Sequence, residues 1–264
     1  MSLSYKYRFG WLTSRVLFFL AIIGPGLITA SADNDAPGIA TYSMAGSAYG
    51  YSFLWVLLLI TLGEGVVQEM AARMGAMTGK GLADLIRERF GVRIAFFAML
   101  CLIMANLGPT AAQFAGIAAS LELFGLSRYL AVPLASLLVW LLIIRGSYHR
   151  VEKVLIALSL FSLSYIVSAF LMRPSWGEIL RQTVTPSLRL DSEYILMLLA
   201  MIGTTITPWG ALYLQATVVD KGVNSDDYSY ARLDVISGVV FGNAISAFIV
   251  ICTATKIFGH TVVN

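Results

Sequence analysis

Apolar residues in this chain neither alternate nor recur as one stripe of a helix; they fill uninterrupted stretches long enough to cross a bilayer. Ile94 to Leu121 and Tyr194 to Val219 contain no Asp, Glu, Lys or Arg, and about twenty apolar residues suffice to span a hydrocarbon core roughly 30 Å thick. Tiling such runs predicts seven spans, at 15–49, 52–77, 93–121, 129–145, 153–172, 193–220 and 231–258. The first run is followed by six more, so it reads as a span and not as a cleaved leader. The 15–49 and 193–220 runs are interrupted by helix breakers and polar groups. Between the second and third spans, Asp84, Arg87, Glu88 and Arg89 predict a short amphipathic helix with one solvated face. Glu69 and Arg73 sit at i, i+4 and predict an ion pair at a helix end.

Composition strengthens the membrane reading. Of 264 residues, 58% are apolar and 12% charged, where soluble domains carry about 25% charged residues; the mean hydropathy is +0.79. Thirteen of the 18 Lys and Arg residues, among them Lys6, Arg73, Lys80, Arg87, Arg145, Lys221 and Arg232, fall on one side of the predicted topology. Cations are retained on the cytoplasmic side, which predicts a cytoplasmic amino terminus and a multi-pass protein of the cell membrane. No basic stripe interleaved with aromatics points to nucleic acid. Cys101 and Cys252 lie inside spans, and His149 and His260 fall at loop or helix ends. No disulfide framework, Cys/His metal spacing or catalytic triad is available, so an enzyme is not expected and no cofactor is implied.

The chemistry concentrates at the two interruptions. In the first, Gly24-Pro25-Gly26 precedes Ala32-Asp33-Asn34-Asp35-Ala36-Pro37-Gly38. Two carboxylates inside a span are costly, at about 2.5–3.5 kcal/mol each by insertion scales, and normally face a cavity, a partner or an ion. Pro37 removes a backbone donor and clashes with the carbonyl at Asp33, and Gly38 loosens the chain further, which predicts an unwound stretch there. The second interruption runs Gly203-Thr204-Thr205-Ile206-Thr207-Pro208-Trp209-Gly210. Four spans separate the two, as an inverted repeat of five-plus-five spans requires. Such a repeat opposes two discontinuous helices at mid-membrane, where unwound carbonyls and half-helix ends form a cation or substrate site.

At these residues the chain resembles the Nramp family of divalent-metal transporters. Gly24-Pro25-Gly26 and the acidic break are similar to that family's first span, whose Asp-Pro-Gly-Asn ligates metal; Asp35 takes the Asp position and Gly38 the Asn position. Val67-Gln68-Glu69-Met70-Ala71-Ala72-Arg73-Met74-Gly75 with Thr78-Gly79-Lys80-Gly81-Leu82-Ala83 resembles the second span and its loop. Phe114-Ala115-Gly116, Gly146-Ser147-Tyr148 and Val151-Glu152 also match. The resemblance implies an all-α, LeuT-type inverted-repeat fold with discontinuous first and sixth helices. It implies one transmembrane domain over 1–264, its first repeat at about 15–172 and its second beginning at 193–258. Because a complete core needs at least ten spans, the chain is expected to be incomplete at its carboxyl end.

Three departures from the family pattern shape the expected function. Asn, Met and His of other members are replaced by Gly38, Thr207 and Trp209. The methionine thioether favours manganese, iron and softer ions. Without it, the metal set implied by the resemblance (Asp35, Ala32, Gly38, Thr204 and Thr207) offers only oxygen, which suits a hard ion that keeps its water. The stretch Asn34 to Ser43 is most similar to the Nramp-related magnesium transporter branch. Mg²⁺ is therefore the leading substrate and Mn²⁺ is compatible. In the third span the acidic proton-coupling motif is replaced by Thr110-Ala111-Ala112-Gln113, which predicts proton-uncoupled alternating access. Asp33, Asn34, Gln113, Thr110, Trp209 and Glu64 are candidates for the cavity or a proton path; Glu64 is either a functional intramembrane carboxylate or a residue bonded within its bundle. Asn243 and Ser246 either satisfy each other and nearby backbone or line the ion pathway.

Partners expected are the divalent ion and the lipid bilayer, without nucleic acid or a protein partner. The alternatives are a proton-coupled Mn²⁺/Fe²⁺ carrier, an amino-acid or organic-solute symporter, and a non-transporting sensor or scaffold. Asp33 and Asp35 would repel a substrate carboxylate, and a sensor would need a soluble signalling extension.

Overall fold

The computed structural model describes residues 34–145 and 160–259; all their regular structure is helical. In chain order the helices are α1 (Ala36–Tyr49), α2 (Leu54–Thr78), α3 (Leu82–Phe90), α4 (Val92–Glu122), α5 (Arg128–Arg145), α6 (Leu163–Met172), α7 (Trp176–Val184), α8 (Ser192–Thr205), α9 (Pro208–Asp220) and α10 (Tyr228–Lys256). Short 3-10 turns at Gly50–Phe53 and Leu160–Ser162 lead into α2 and α6. Among the described residues, four helical segments are long and apolar enough to cross a membrane: Ala36–Thr78, Val92–Glu122, Ser192–Asp220 and Tyr228–Lys256. The second to fourth predicted spans become α2, α4 and α5, the sixth becomes α8 with α9, and the seventh α10. The opening half of the first span and residues 153–159 of the fifth lie outside the described residues.

α10 is the hub, packed against α1, α2 and α6, while α2 also holds α9. Its most apolar window is 61% buried, against 6% for the corresponding window of α4, so α4 turns most of its apolar surface away from this bundle. The core joins Tyr42 and Ala45 of α1, Leu57 and Ile60 of α2, Met201 of α8 and Ile245, Ile249 and Val250 of α10. Close approach of α1 to α10 depends on Gly46. A Cβ there would sit 2.1 Å from Thr253 Oγ1 and 2.5 Å from the Val250 carbonyl oxygen.

The two ends of the bundle differ in chemistry. At one end Phe53 stacks on Tyr194 with ring centroids 4.5 Å apart, and Tyr49 meets both edge-on. Tyr194 Oη donates to the Ser187 carbonyl at 2.6 Å. At the other end Gln215 Nε2 donates to the Lys80 carbonyl at 2.9 Å, Tyr228 Oη donates to Glu69, and Arg73 pairs with Glu69 at 3.6 Å. There α2 stops at Gly79, whose left-handed φ of 62° is open to glycine at little cost. The amphipathic helix expected around Asp84 to Arg89 is α3, with Lys80 bonded to Glu88 at 2.7 Å and Arg87 to Asp84 at 3.1 Å.

Candidate metal site at the broken helices

The first interruption takes a more specific form than an unwound stretch around Pro37. Asp35, at φ −75° and ψ 176°, is the N-cap of α1, and Pro37 falls in its first turn. Proline is tolerated there because first-turn N–H groups have no partner within the helix. The backbone is therefore extended at Asp35 and helical from Ala36 onward. Gly38 is one of the helical residues. Its N–H donates to Asp35 Oδ1 at 2.7 Å, and a helical carbonyl at this position faces the next turn. Gly38 thus supplies the amide that holds Asp35.

Gln113 reaches this helix start from α4. Its Nε2 donates to Asp35 Oδ2, and its Oε1 accepts from the Ala36 N–H at 3.3 Å. One amide thus engages both the carboxylate and a first-turn N–H, and the Ala36 donor fixes which end of the amide is oxygen. The contact needs Gly116 one turn along, where a Cβ would lie 2.5 Å from Ala36 Cβ. Asn34, 7% exposed, anchors the other side of the cap: its Nδ2 donates to the Gly242 carbonyl of α10 at 3.2 Å, and Ser246 Oγ lies 3.1 Å from its Oδ1. Ala32 and Asp33 lie outside the described residues.

The second interruption separates α8 from α9 at Ile206 and Thr207. Proline at 208 has no N–H, so the Thr204 carbonyl loses its i+4 donor. The Thr207 N–H turns instead to the Thr205 carbonyl at 3.1 Å, so the Gly203 carbonyl also lacks its regular donor. These oxygens crown the negative end of the α8 dipole, where cations are stabilised. Thr207 is the N-cap of α9 but its hydroxyl makes no cap bond. Ile206 Cδ1 would stand 3.4 Å from a Cβ at Gly63 of α2, which seats the break beside the turn carrying Glu64.

The candidate residues therefore divide into distinct groups. Asp35 and Gln113 are in direct contact. Asn34 joins Ser246 and Gly242, so Ser246 bonds to Asn34 just before α1 and to its own helix and not to Asn243. Glu64 accepts from Gln68 Nε2 and Asn243 Nδ2, each at 2.6 Å. Thr110 is exposed and its hydroxyl donates to the Asn106 carbonyl of its own helix at 2.8 Å. No hydrogen bond joins Thr204, Thr207 or Trp209 to Asp35 among the described residues.

Sequence reasoning passed over Thr205, whose hydroxyl donates to the Met201 carbonyl at 2.9 Å. Its single proton so used, it accepts from Tyr42 Oη at 2.7 Å and ties α1 to the end of α8. It also missed Gln68 as the partner of Glu64, although the i, i+4 spacing carried that signal.

No group of three or more His, Cys, Asp or Glu side chains able to hold a metal occurs among the described residues. Among the described residues, a metal at this site would rely on the Asp35 carboxylate supplemented by amide, hydroxyl and carbonyl oxygens. This donor chemistry lies at the start of α1 and at the gap between α8 and α9. A family model described as Nramp, natural resistance-associated macrophage protein-like, matches residues 26–264.

The chain belongs to the Nramp family.

Among curated relatives, a divalent metal cation transporter MntH from Erwinia tasmaniensis is 32% identical over 252 residues, and one from Verminephrobacter eiseniae is 30% identical over 206. The alignments cover 91% and 76% of this chain but 60% and 46% of those proteins, so the chain spans about half to three fifths of the relatives' length. The fold is that of the Eremococcus coleocola manganese transporter, whose crystal structure in complex with an aromatic bis-isothiourea compound superposes with a TM-score of 0.82 at 22% identity. That match covers 97% of this chain and 56% of the other. The all-α, inverted-repeat architecture expected from the sequence is the fold found. The chain is accordingly a multi-pass membrane protein.

Proposed function

We propose that this Nramp protein carries divalent metal ions across the membrane by alternating access, binding them between the start of α1 and the end of α8. The observation that carries the reading is the Asp35 carboxylate at the start of α1, held by the Gly38 N–H and the Gln113 amide; the Gly203 and Thr204 carbonyls at the end of α8 are the donors proposed to complete it. Ala32 and Thr207 complete the proposed donor set, with Gly38 fixing Asp35 and leaving room for water. The divalent metal cations named for the MntH relatives support a divalent ion as cargo, Mn²⁺ among them. The oxygen-only donors, with Thr207 and Trp209 in the family's methionine and histidine places, support Mg²⁺ as well and as the leading substrate.

Uptake needs no proton in this reading. Thr110 and Gln113 stand where other members carry acids, and two positive charges entering a negative interior gain about 4.6 kcal/mol per 100 mV. The basic end of the bundle, with Arg73, Lys80, Arg87 and Arg232, supports a cytoplasmic placement of α3 and of the amino terminus. The five-plus-five plan places residues 15–172 in the first repeat and 193–258 in the second, within one transporter domain of the cell membrane.

The test is influx into liposomes containing the full-length protein at an inside-negative potential. Mg²⁺ and Mn²⁺ should both enter, Asp35→Ala should abolish entry, and a pH dye inside should stay steady. Entry of Mn²⁺ alone would overturn the magnesium reading, and internal acidification that depends on the metal would overturn the uncoupled one.

A further inference from the structure

Away from Asp35, α2 and α10 enclose a second polar cluster in the core of the bundle. Glu64 is 1% exposed, Gln68 4% and Asn243 6%. Each carboxylate oxygen of Glu64 accepts an amide N–H at 2.6 Å, one from Gln68 and one from Asn243. Asn243 Nδ2 also donates to the Val239 carbonyl at 3.1 Å. Two acceptors therefore fix which end of that amide is nitrogen. The oxygens of the same two amides, Gln68 Oε1 and Asn243 Oδ1, are fully buried and have no hydrogen-bond partner among the described residues.

Buried acceptors without a partner are disfavoured, and native structures keep few of them without a reason. Here two occur together on side chains that bond one carboxylate, so two oxygens of the cluster lack a donor among the described residues. The oxygen and nitrogen of an amide are close enough that each orphaned oxygen lies within roughly 5 Å of the carboxylate oxygen its nitrogen bonds. One ion contacting hard oxygens at about 2.4 Å bridges such a gap.

We propose that Glu64, Gln68 and Asn243 form a second cation site, for a small monovalent ion of sodium size. Charge decides the valence: the three side chains carry one negative charge, so a monovalent ion leaves the buried cluster neutral while a divalent one leaves it charged. Donor type excludes soft metals, since neither thiolate nor imidazole takes part. A proton on Glu64 would also neutralise the cluster, but it would serve a single oxygen, whereas a metal cation draws on all three side chains. The site reaches the first interruption through adjacent residues of α10, because Gly242 beside Asn243 accepts from Asn34 beside Asp35. This last link to transport rests on the reading of Asp35 given above; the cation site itself does not.

Equilibrium binding of radioactive sodium to the purified full-length protein, in choline buffer, tests the proposal. Wild type and Asp35→Asn should bind sodium saturably, whereas Glu64→Gln, which keeps the size but removes the charge and exchanges one accepting oxygen for a donor, should bind more than about tenfold more weakly. Gln68→Met, which removes one orphaned oxygen and one donor to Glu64 while keeping the charge, should weaken binding too and serves if Glu64→Gln does not fold. Absence of saturable binding in wild type, equal binding in folded Glu64→Gln, or loss of binding in Asp35→Asn would each overturn the second site. Failure of divalent uptake with sodium binding intact would instead sink the transport reading and leave this one standing.

Discussion

Asp35 does two jobs that substitution can separate. Its carboxylate caps α1 through the Gly38 N–H, and it is the formal charge of the proposed metal site. Asparagine caps helices about as well as aspartate, while alanine forfeits about 0.5–2 kcal/mol. Asp35→Asn should therefore leave the unfolding temperature in detergent close to wild type while weakening Mn²⁺ binding at least about tenfold, measured by isothermal titration. Asp35→Ala should lose both binding and stability. Gln113→Leu makes the complementary test: it removes the amide that engages both the carboxylate and the Ala36 N–H, so metal binding should change with little effect on the distant core.

Among the helices, the break between α8 and α9 follows from one missing hydrogen. Restoring an N–H with Pro208→Ala gives the Thr204 carbonyl a donor and allows α8 to run on into α9. We expect an unchanged or raised unfolding temperature together with reduced metal uptake; unchanged uptake would mean that the released carbonyls take no part. Packing of α1 against α10 obeys a steric rule. At Gly46 any Cβ meets the Val250 backbone oxygen at 2.5 Å, and backbone cannot swing aside as a flexible side chain does. Gly46→Val should destabilise the protein by about 1–3 kcal/mol or more, read as a fall in unfolding temperature.

For the molecule as a whole, the basic and aromatic ends predict which loops face which compartment. In a Cys101→Ser background, Arg181→Cys on α7 should react with an impermeant maleimide added to intact cells, and Arg87→Cys on α3 only after permeabilisation; the reverse pattern would invert the topology. The long apolar helices, the gap before Pro208 and the membrane class were legible in the sequence, because transfer of apolar residues from water and the lost N–H of proline act locally, whatever the rest of the chain does. The resemblance of Asn34 to Ser43 and of Val67 to Ala83 extended that reading to the family. Local pattern could not say that Pro37 falls in the first turn of a helix capped at Asp35, since this depends on Asp35 and Gln113 satisfying the first-turn donors. Nor could it pair Glu64 with Asn243 or Tyr42 with Thr205, which lie far apart along the chain. Buried polar groups take whichever partner packing brings within about 3 Å, and that is decided only when α10 closes against α1 and α2.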